Sequence, residues 1–362
     1  MAELLAPADV RLDGSRPWDI RVHDKRLFHR VLGQGTLGAG EAYMEGWWDC
    51  DQLDEMLTRV LRSNIEEHLR SPRALRLALS ARLFNMQSSR RAYIVAEKHY
   101  DLGDDLYELM LDPRMIYSCA YYERADSLNA AQEAKLDLVA HKIRVQPGMR
   151  ILDIGCGWGG AAQFMAQRGA SVTGVTVSRN QLQTAQKRCA GLDVDLRLQD
   201  YRSLSGSCDG IYSLGMFEHV GVRNYRTYLE KARELLRPDG LFLLHTIGNN
   251  ESSVATDPWI DKYIFPNGQL PSLAQIAKAA EGLWVIEDIH SFGVYYDRTL
   301  LAWSANFERA WPQLAARYGE RFRRMWHFWL MSSAASFRAR KTQLWQIVLS
   351  PAGVPGGYRA VR

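Results

Sequence analysis

From residue 149 onward, short apolar runs alternate with stretches of helical spacing. Arg150 to Ile154, Ser171 to Val177, Val194 to Leu198, Gly210 to Leu214 and Leu241 to Thr246 read as strands, and helical stretches near 160–168, 179–190 and 224–236 separate several of them. This alternation predicts βαβ units and a parallel sheet with helices on both faces, because parallel strands need a crossover that a helix usually supplies. Further strands are expected at Trp284 to His290 and Gln343 to Leu349, with a helical insertion over roughly 304–340.

The N-terminal pattern differs. Leu53, Met56, Leu57, Val60, Leu61 and Ile65 keep helical spacing after Asp51, which is placed to cap the helix, and Gly33, Gly35, Gly38, Gly40 and Gly46 punctuate what precedes them. The organisation expected is a small helical domain over 1–80, a linker over 81–92 and a catalytic domain over 93–362. No acid stands between Glu67 and Glu97, whereas Arg70, Arg73, Arg76, Arg82, Arg90 and Arg91 interleave there with Leu75, Leu77, Leu79, Leu83 and Phe84. That stretch fits a basic amphipathic helix facing anionic lipid, and equally a helix packed on its own core with solvated arginines.

Composition narrows the class. With 47% apolar and 24% charged residues the chain is of ordinary globular type, and its net charge of +4 is too small to imply nucleic acid as a partner. The five cysteines are odd in number and form no CxxC pair, which suggests neither a disulfide frame nor a zinc site and fits a reducing compartment. The first residues lack the basic start and apolar core of a signal peptide, and the aromatic stretch from Met325 to Phe337 is too short to span a bilayer. A cytoplasmic protein is expected, with any membrane contact peripheral.

The segment Ile151-Leu152-Asp153-Ile154-Gly155-Cys156-Gly157-Trp158-Gly159-Gly160 ends a strand and opens a helix, where glycines let a ligand approach the backbone. Its spacing also satisfies GxGxxG, the dinucleotide fingerprint. A dinucleotide site wants an acid at the end of the second strand, yet that strand ends Gly174-Val175-Thr176-Val177-Ser178. The acid instead precedes the first glycine, as Asp153, in the D-x-G-x-G arrangement of S-adenosylmethionine methyltransferases.

Segments outside this loop extend the match. They are Tyr100-Asp101-Leu102-Gly103, Tyr117-Ser118-Cys119-Ala120-Tyr121, Gly215-Met216-Phe217-Glu218-His219-Val220-Gly221, His245-Thr246-Ile247-Gly248, Trp259 to Pro266, Phe292-Gly293 with Tyr296-Asp297, and Thr299 to Trp303. As a set, the chain from about residue 93 resembles the cyclopropane-fatty-acyl-phospholipid synthases and the related mycolic acid cyclopropane synthases. Gly40 to Trp48 resembles the additional N-terminal domain of the phospholipid-acting branch, which the mycolic acid enzymes lack.

The resemblance implies a class I methyltransferase domain, α/β and Rossmann-like with a doubly wound seven-stranded sheet, beside the small helical N-terminal domain. It implies that Tyr117 and Ser118 hold the methionine carboxylate of S-adenosylmethionine and that Gly155 and Gly157 lie against its methionine and ribose. Thr176 and Gln181 take the ribose role, and Asp200 and Tyr201 flank the adenine. Asp200 also fits a plain turn acid at a strand end, and many mycolic acid relatives have tryptophan where Tyr201 stands. A bicarbonate base is implied to be held by Cys119, Glu218, His245, the main chain of Ile247, and Tyr296. Each has a bland alternative: a small buried hydrophobe for Cys119, a satisfied core histidine for His245, a helix cap for Glu218.

The activity so implied transfers a methyl carbon to a cis double bond of a phospholipid acyl chain and then removes a proton to close a cyclopropane ring. Aromatic faces stabilise the intervening cation, and Tyr121, Tyr122, Trp259, Tyr263, Phe265, Tyr295 and Tyr296 are candidates, although a core and an acyl-chain tunnel look alike in sequence. The partners implied are a phospholipid bilayer with unsaturated acyl chains and a second copy of the chain. Two rivals remain at this level: lipid C-methylation without ring closure, and a lipid-binding protein without activity.

Overall fold

The structure is a computed structural model that describes residues 1–65, 103–253 and 256–362. The basic stretch around Arg70 to Arg91, the expected linker over 81–92 and Tyr100 to Leu102 lie outside the described residues. The chain divides into two compact units, one formed by Met1–Phe84, Val254–Asn267 and Tyr296–Thr342, the other by Asn85–Ser253, Gly268–Tyr295 and Gln343–Arg362. The N-terminal residues thus share a unit with two segments from far along the chain, where the sequence pattern drew a single boundary.

The second unit is built on a seven-stranded sheet: β1 (Arg150–Ile154), β2 (Ser171–Thr176), β3 (Val194–Leu198), β4 (Cys208–Leu214), β5 (Leu236–Asn249), β6 (Val285–Ser291) and β7 (Thr342–Ser350). Their order is β3-β2-β1-β4-β5-β7-β6. The first five run parallel, with Asp153 opposite both Gly174 and Tyr212 and Leu214 opposite His245, and β6 pairs antiparallel with β7. Every strand expected from the apolar runs is present, each within a few residues at its ends.

Because β1 is followed outward by β2 on one side and by β4 on the other, the chain reverses its winding at β1 and β4. The crevice at their carboxyl ends is where such sheets bind ligands. One face of the sheet is closed by a core that includes Phe217, Tyr225, Tyr228, Leu229 and Trp284. The other carries Leu136 and Val139 of the helix Leu128–Lys142 and Ile143 just after it, together with Phe164 and Met165 of Gly160–Ala166.

The first unit is mostly helical. Its N-terminal part has helices at Arg26–Gln34, Thr36–Met44 and Leu53–Arg62 and a short antiparallel pair, Arg21–Val22 with Trp48–Asp49. Asp51 does not cap Leu53–Arg62. That helix begins after Gln52 with no side-chain cap, while Arg21 holds both oxygens of Asp51 at 2.6 and 2.7 Å, a bidentate pair across the short ladder that takes up the carboxylate. The helical insertion is longer than its pattern suggested: Val294–Arg338 is helical apart from a break at Gly319, whose φ is 74°.

A Cβ at Gly40 would lie 2.5 Å from the ring of Trp259 and 3.0 Å from Phe328, so only glycine admits the indole at that point. The neighbouring Glu41 accepts from Arg30 at 2.6 Å, Lys262 at 2.5 Å and the Tyr263 hydroxyl at 2.9 Å. Arg324 donates to the carbonyls of Tyr43 and Trp48 and to Asp49. Among the described residues, no helix is long and apolar enough to cross a membrane.

Candidate active site

The glycine loop after β1 has the geometry its sequence implied. Gly155 and Gly157 have φ of 101° and 52°, and a Cβ at Gly157 would meet nothing within 4 Å, so the backbone there faces open space that a ligand can approach. Trp158 is fixed from behind: its indole N–H donates to Asp104 Oδ1 at 3.0 Å. The same carboxylate accepts from Asn180 at 2.8 Å and Thr184 at 2.6 Å. Asp104, opening the helix Asp104–Met110, therefore ties that helix to the loop and to the helix Arg179–Arg188. Sequence reading passed over it because an acid in a first helical turn looks like ordinary dipole chemistry.

The remaining cofactor candidates gather at the same edge with unequal freedom. Thr176, at the end of β2, donates to Gln181 Oε1 at 3.1 Å, and both side chains are buried. Asp153 points into the sheet, accepting from the Tyr212 hydroxyl at 2.8 Å, and burial raises its carboxyl to about 7. It anchors the strand below the loop. Asp200 accepts the Arg202 amide at 2.9 Å and caps the turn Tyr201–Ser203, while the Tyr201 ring packs edge-on against Tyr228 at 5.0 Å within the core. Tyr117 packs beside the contacting pair Tyr107 and Trp158, at centroid distances of 5.3 and 6.3 Å. Ser118 accepts from Lys135 Nζ at 2.9 Å and faces Gly215, where a Cβ would approach its own at 3.6 Å.

The candidates for proton chemistry lie at the ends of β4 and β5. Glu218, in the turn Phe217–His219, accepts the Ile247 amide on Oε1 at 2.7 Å, so that amide is already committed. Its Oε2 is buried and has no hydrogen-bond partner among the described residues. Burial, opposed by the amides of Ile247 and of Glu218 itself and by the nearby Thr246 hydroxyl, raises this carboxyl to about 7; that hydroxyl makes its own hydrogen bond to the Ile247 carbonyl at 3.0 Å. His245 is 1% exposed, and burial holds it neutral by pushing its pKa well below the ordinary value. Gln346 of β7 presents its amide nitrogen to His245 Nδ1 at 3.3 Å, so Nδ1 accepts and Nε2 carries the hydrogen. That Nε2 also has no partner among the described residues.

A buried acceptor and a buried donor are thus left at neighbouring strand ends, which suits a small group that both donates and accepts. Gln346 was missed in sequence because an amide inside a strand carries no signal of what it faces. Cys119 is fully buried, with its thiol 3.3 Å from the Ala120 carbonyl. Tyr296 belongs to the first unit, where its ring stacks on Phe337 at 4.6 Å and meets Trp303 edge-on at 6.0 Å. The aromatic candidates divide likewise: Tyr121, Tyr122 and Tyr295 cluster in the second unit, whereas Trp259, Tyr263 and Phe265 lie in the first.

The winding of the sheet, the open glycine loop at its switch point and the acid that precedes it define a class I S-adenosylmethionine-dependent methyltransferase. The family model described as mycolic acid cyclopropane synthetase matches residues 87–347. A cyclopropane-fatty-acyl-phospholipid synthase of Escherichia coli strain K12 is 53% identical over 363 residues, covering 99% of this chain and 94% of that protein. Among solved structures, the cyclopropane synthase MmaA2 of Mycobacterium tuberculosis superposes with a TM-score of 0.67 at 32% identity, over 71% of this chain and 97% of that one. The mycolic acid cyclopropane synthase CmaA1, in complex with SAH and CTAB, gives 0.66 at 32% identity over the same shares. The chain belongs to the cyclopropane synthase family.

Proposed function

We propose that this enzyme adds the methyl carbon of S-adenosylmethionine across a cis double bond of a phospholipid acyl chain and then deprotonates the resulting cation to close a cyclopropane ring. When bound, S-adenosylmethionine supplies an electrophilic methyl group on sulfur. The chain's own residues do the rest: the backbone at Gly155 and Gly157 receives the cofactor, Tyr117 and Ser118 hold its carboxylate, Thr176 and Gln181 meet its ribose, and Asp200 and Tyr201 border the adenine. Positioning the alkene and excluding water supply much of the rate, since an alkene is a weak nucleophile.

The observation that carries the reading is the pair of buried, unpartnered atoms, Glu218 Oε2 and His245 Nε2. They fit bicarbonate as the base. His245 Nε2–H would donate to one of its oxygens, and Glu218 Oε2 would accept its hydroxyl hydrogen, which raises basicity at the oxygen that takes the proton. Ile247 enters through Glu218, whose orientation its amide fixes. The resemblance also counts Cys119 and Tyr296 in this set; the Cys119 thiol here donates to the Ala120 carbonyl, and the Tyr296 ring stacks on Phe337.

Phospholipid is favoured over mycolic acid by the N-terminal residues: the cyclopropane-fatty-acyl-phospholipid synthase spans 99% of the chain, whereas the mycolic acid cyclopropane synthase CmaA1 spans 71%. A peripheral membrane location on the cytoplasmic side and a homodimeric state belong to the same proposal; vesicle sedimentation and light scattering test them. The central test is lipid mass spectrometry after expression in a host without cyclopropane lipids. Unsaturated chains gain the mass of one methylene and resist hydrogenation. A saturated branched product of the same carbon number would instead indicate methylation without ring closure, and unchanged lipids would sink the reading.

A further inference from the structure

The helix Leu128–Lys142 buries a lysine completely. Lys135 is 0% exposed on a face that also carries Leu136 and Val139 into the core. Removing an ammonium from water costs several kcal/mol even after relaxation, so such a residue needs compensation. Two buried acids, Asp112 and Asp153, act on it through space together with the Cys119 thiol, yet burial still lowers it to about 8. Both acids are engaged elsewhere: Asp112 accepts the amides of Arg114 and Ile116, and Asp153 accepts the Tyr212 hydroxyl. Its hydrogen bond goes instead to Ser118 Oγ at 2.9 Å.

An ammonium has only donors, so Ser118 Oγ must be the acceptor in this bond, and the serine's own hydrogen is released to point elsewhere. The backbone of Ser118 is fixed independently, because Gln132 Nε2 donates to the carbonyls of Ile116 and Ser118 at 3.2 and 2.9 Å. One helix therefore sets both the position of the Tyr117-Ser118-Cys119 segment and the direction of the Ser118 hydroxyl.

We infer that Lys135 is a positioning residue for the carboxylate of the cofactor: it commits Ser118 to donate toward that carboxylate and places a buried positive charge directly behind the hydroxyl. The inference rests on the proposed role of Ser118 in holding that carboxylate. Its consequence is discrimination. Lys135 supports ligands that carry the amino-acid portion of the cofactor and is indifferent to those that lack it.

The test titrates the wild type, Lys135→Met, Ser118→Ala and the double variant with S-adenosylhomocysteine, which has the carboxylate, and with 5′-methylthioadenosine, which does not. Lys135→Met should weaken S-adenosylhomocysteine by about tenfold or more, the usual scale for a charge-assisted contact, and leave 5′-methylthioadenosine within about twofold. In the Ser118→Ala background the same change should matter by less than about threefold, since the two residues act as one unit. Steady-state kinetics should show a raised KM for S-adenosylmethionine with kcat nearly unchanged. Lys135→Gln, which keeps a donor without the charge, should recover part of the loss, and it serves as the primary variant if methionine impairs folding. Equal weakening of both ligands, or an undiminished effect in the Ser118→Ala background, would overturn the inference. If Ser118→Ala alone leaves S-adenosylhomocysteine affinity unchanged, the role of Ser118 fails first. If Ser118→Ala weakens binding and Lys135→Met does not, only the role of Lys135 fails.

Discussion

The Ile247 amide donates to Glu218 Oε1 at 2.7 Å, tying the end of β5 to the turn that follows β4, while the other carboxylate oxygen is buried with no hydrogen-bond partner among the described residues. Two residues that stand 29 positions apart in sequence become one device. Much of the proposed mechanism depends on that bond, and it gives the first expectation.

Glu218→Gln keeps an oxygen to accept the Ile247 amide but replaces the buried acceptor with an amide. Turnover should fall by about 10²-fold or more, the usual scale for general-base assistance, while the affinity for S-adenosylmethionine stays within a few-fold. Depleting carbonate from the wild type should slow it reversibly. Full-speed turnover without carbonate would assign the base to a side chain instead.

The same carboxyl sets a pH dependence. With its pKa raised to about 7, Glu218 is ionised in the folded protein only above that value, so wild-type turnover should rise through pH 7 and level off, and this limb should be lost in Glu218→Gln. For stability the sign is opposite. The folded pKa lies above the unfolded value of 4.5, so holding the carboxylate costs stability as pH rises from 4.5 to about 7, and the cost is constant above that. Glu218→Gln should therefore stabilise the fold, by about 3 kcal/mol at pH 8 and under about 1 kcal/mol at pH 5. Denaturant titrations at the two pH values check it; an equal difference at both would contradict the shift.

Gln346→Leu removes the donor to His245 Nδ1 while preserving volume. The imidazole then loses what fixes its tautomer, and turnover should drop by up to about 10²-fold with the KM for S-adenosylmethionine unchanged. A variant with wild-type turnover would show that the orientation of His245 has no part in the reaction.

Gly157→Val places a branched side chain at φ 52°, in the space through which a ligand approaches the loop. The folded variant should lose at least about tenfold in affinity for S-adenosylmethionine by calorimetry, since both strain and obstruction act against binding. Unchanged affinity would remove this turn from the site.

Gly40→Ala addresses the first unit. Its methyl would lie 2.5 Å from Trp259, closer than side chains tolerate, so the variant should lose about 1–3 kcal/mol by overpacking, read as an earlier unfolding midpoint. An unaltered midpoint would refute the packing of Trp259 on that helix.

The sheet was legible because strands buried on both faces read as apolar runs whatever their neighbours, and the runs at β1, β2 and β4 stood out against helical intervals. The glycine loop was legible for a similar reason, since positive φ and close approach leave few residue choices at Gly155 and Gly157. The helix Leu128–Lys142 was not. Gln132, Lys135 and Lys142 look like a solvated face by composition, yet all three are fully buried, each with a hydrogen-bond partner distant in the chain. Asp51 misled in the opposite sense, because a local capping signal yielded to Arg21, which only the short ladder brings near.

By itself the sequence determined the alternating α/β architecture, the place of the ligand loop at the end of β1, and the residue types available for the chemistry. These follow from local backbone preference and from the period of apolar positions, both written in neighbouring residues. Only the tertiary structure decided which donor meets which acceptor: Ile247 on Glu218, Gln346 on His245, Lys135 on Ser118, Tyr212 on Asp153. It also drew Trp259 and the long C-terminal helix into the unit of the N-terminal residues. A hydrogen bond acts over about 3 Å, and two strands far apart in the chain come that close only once the core between them has formed.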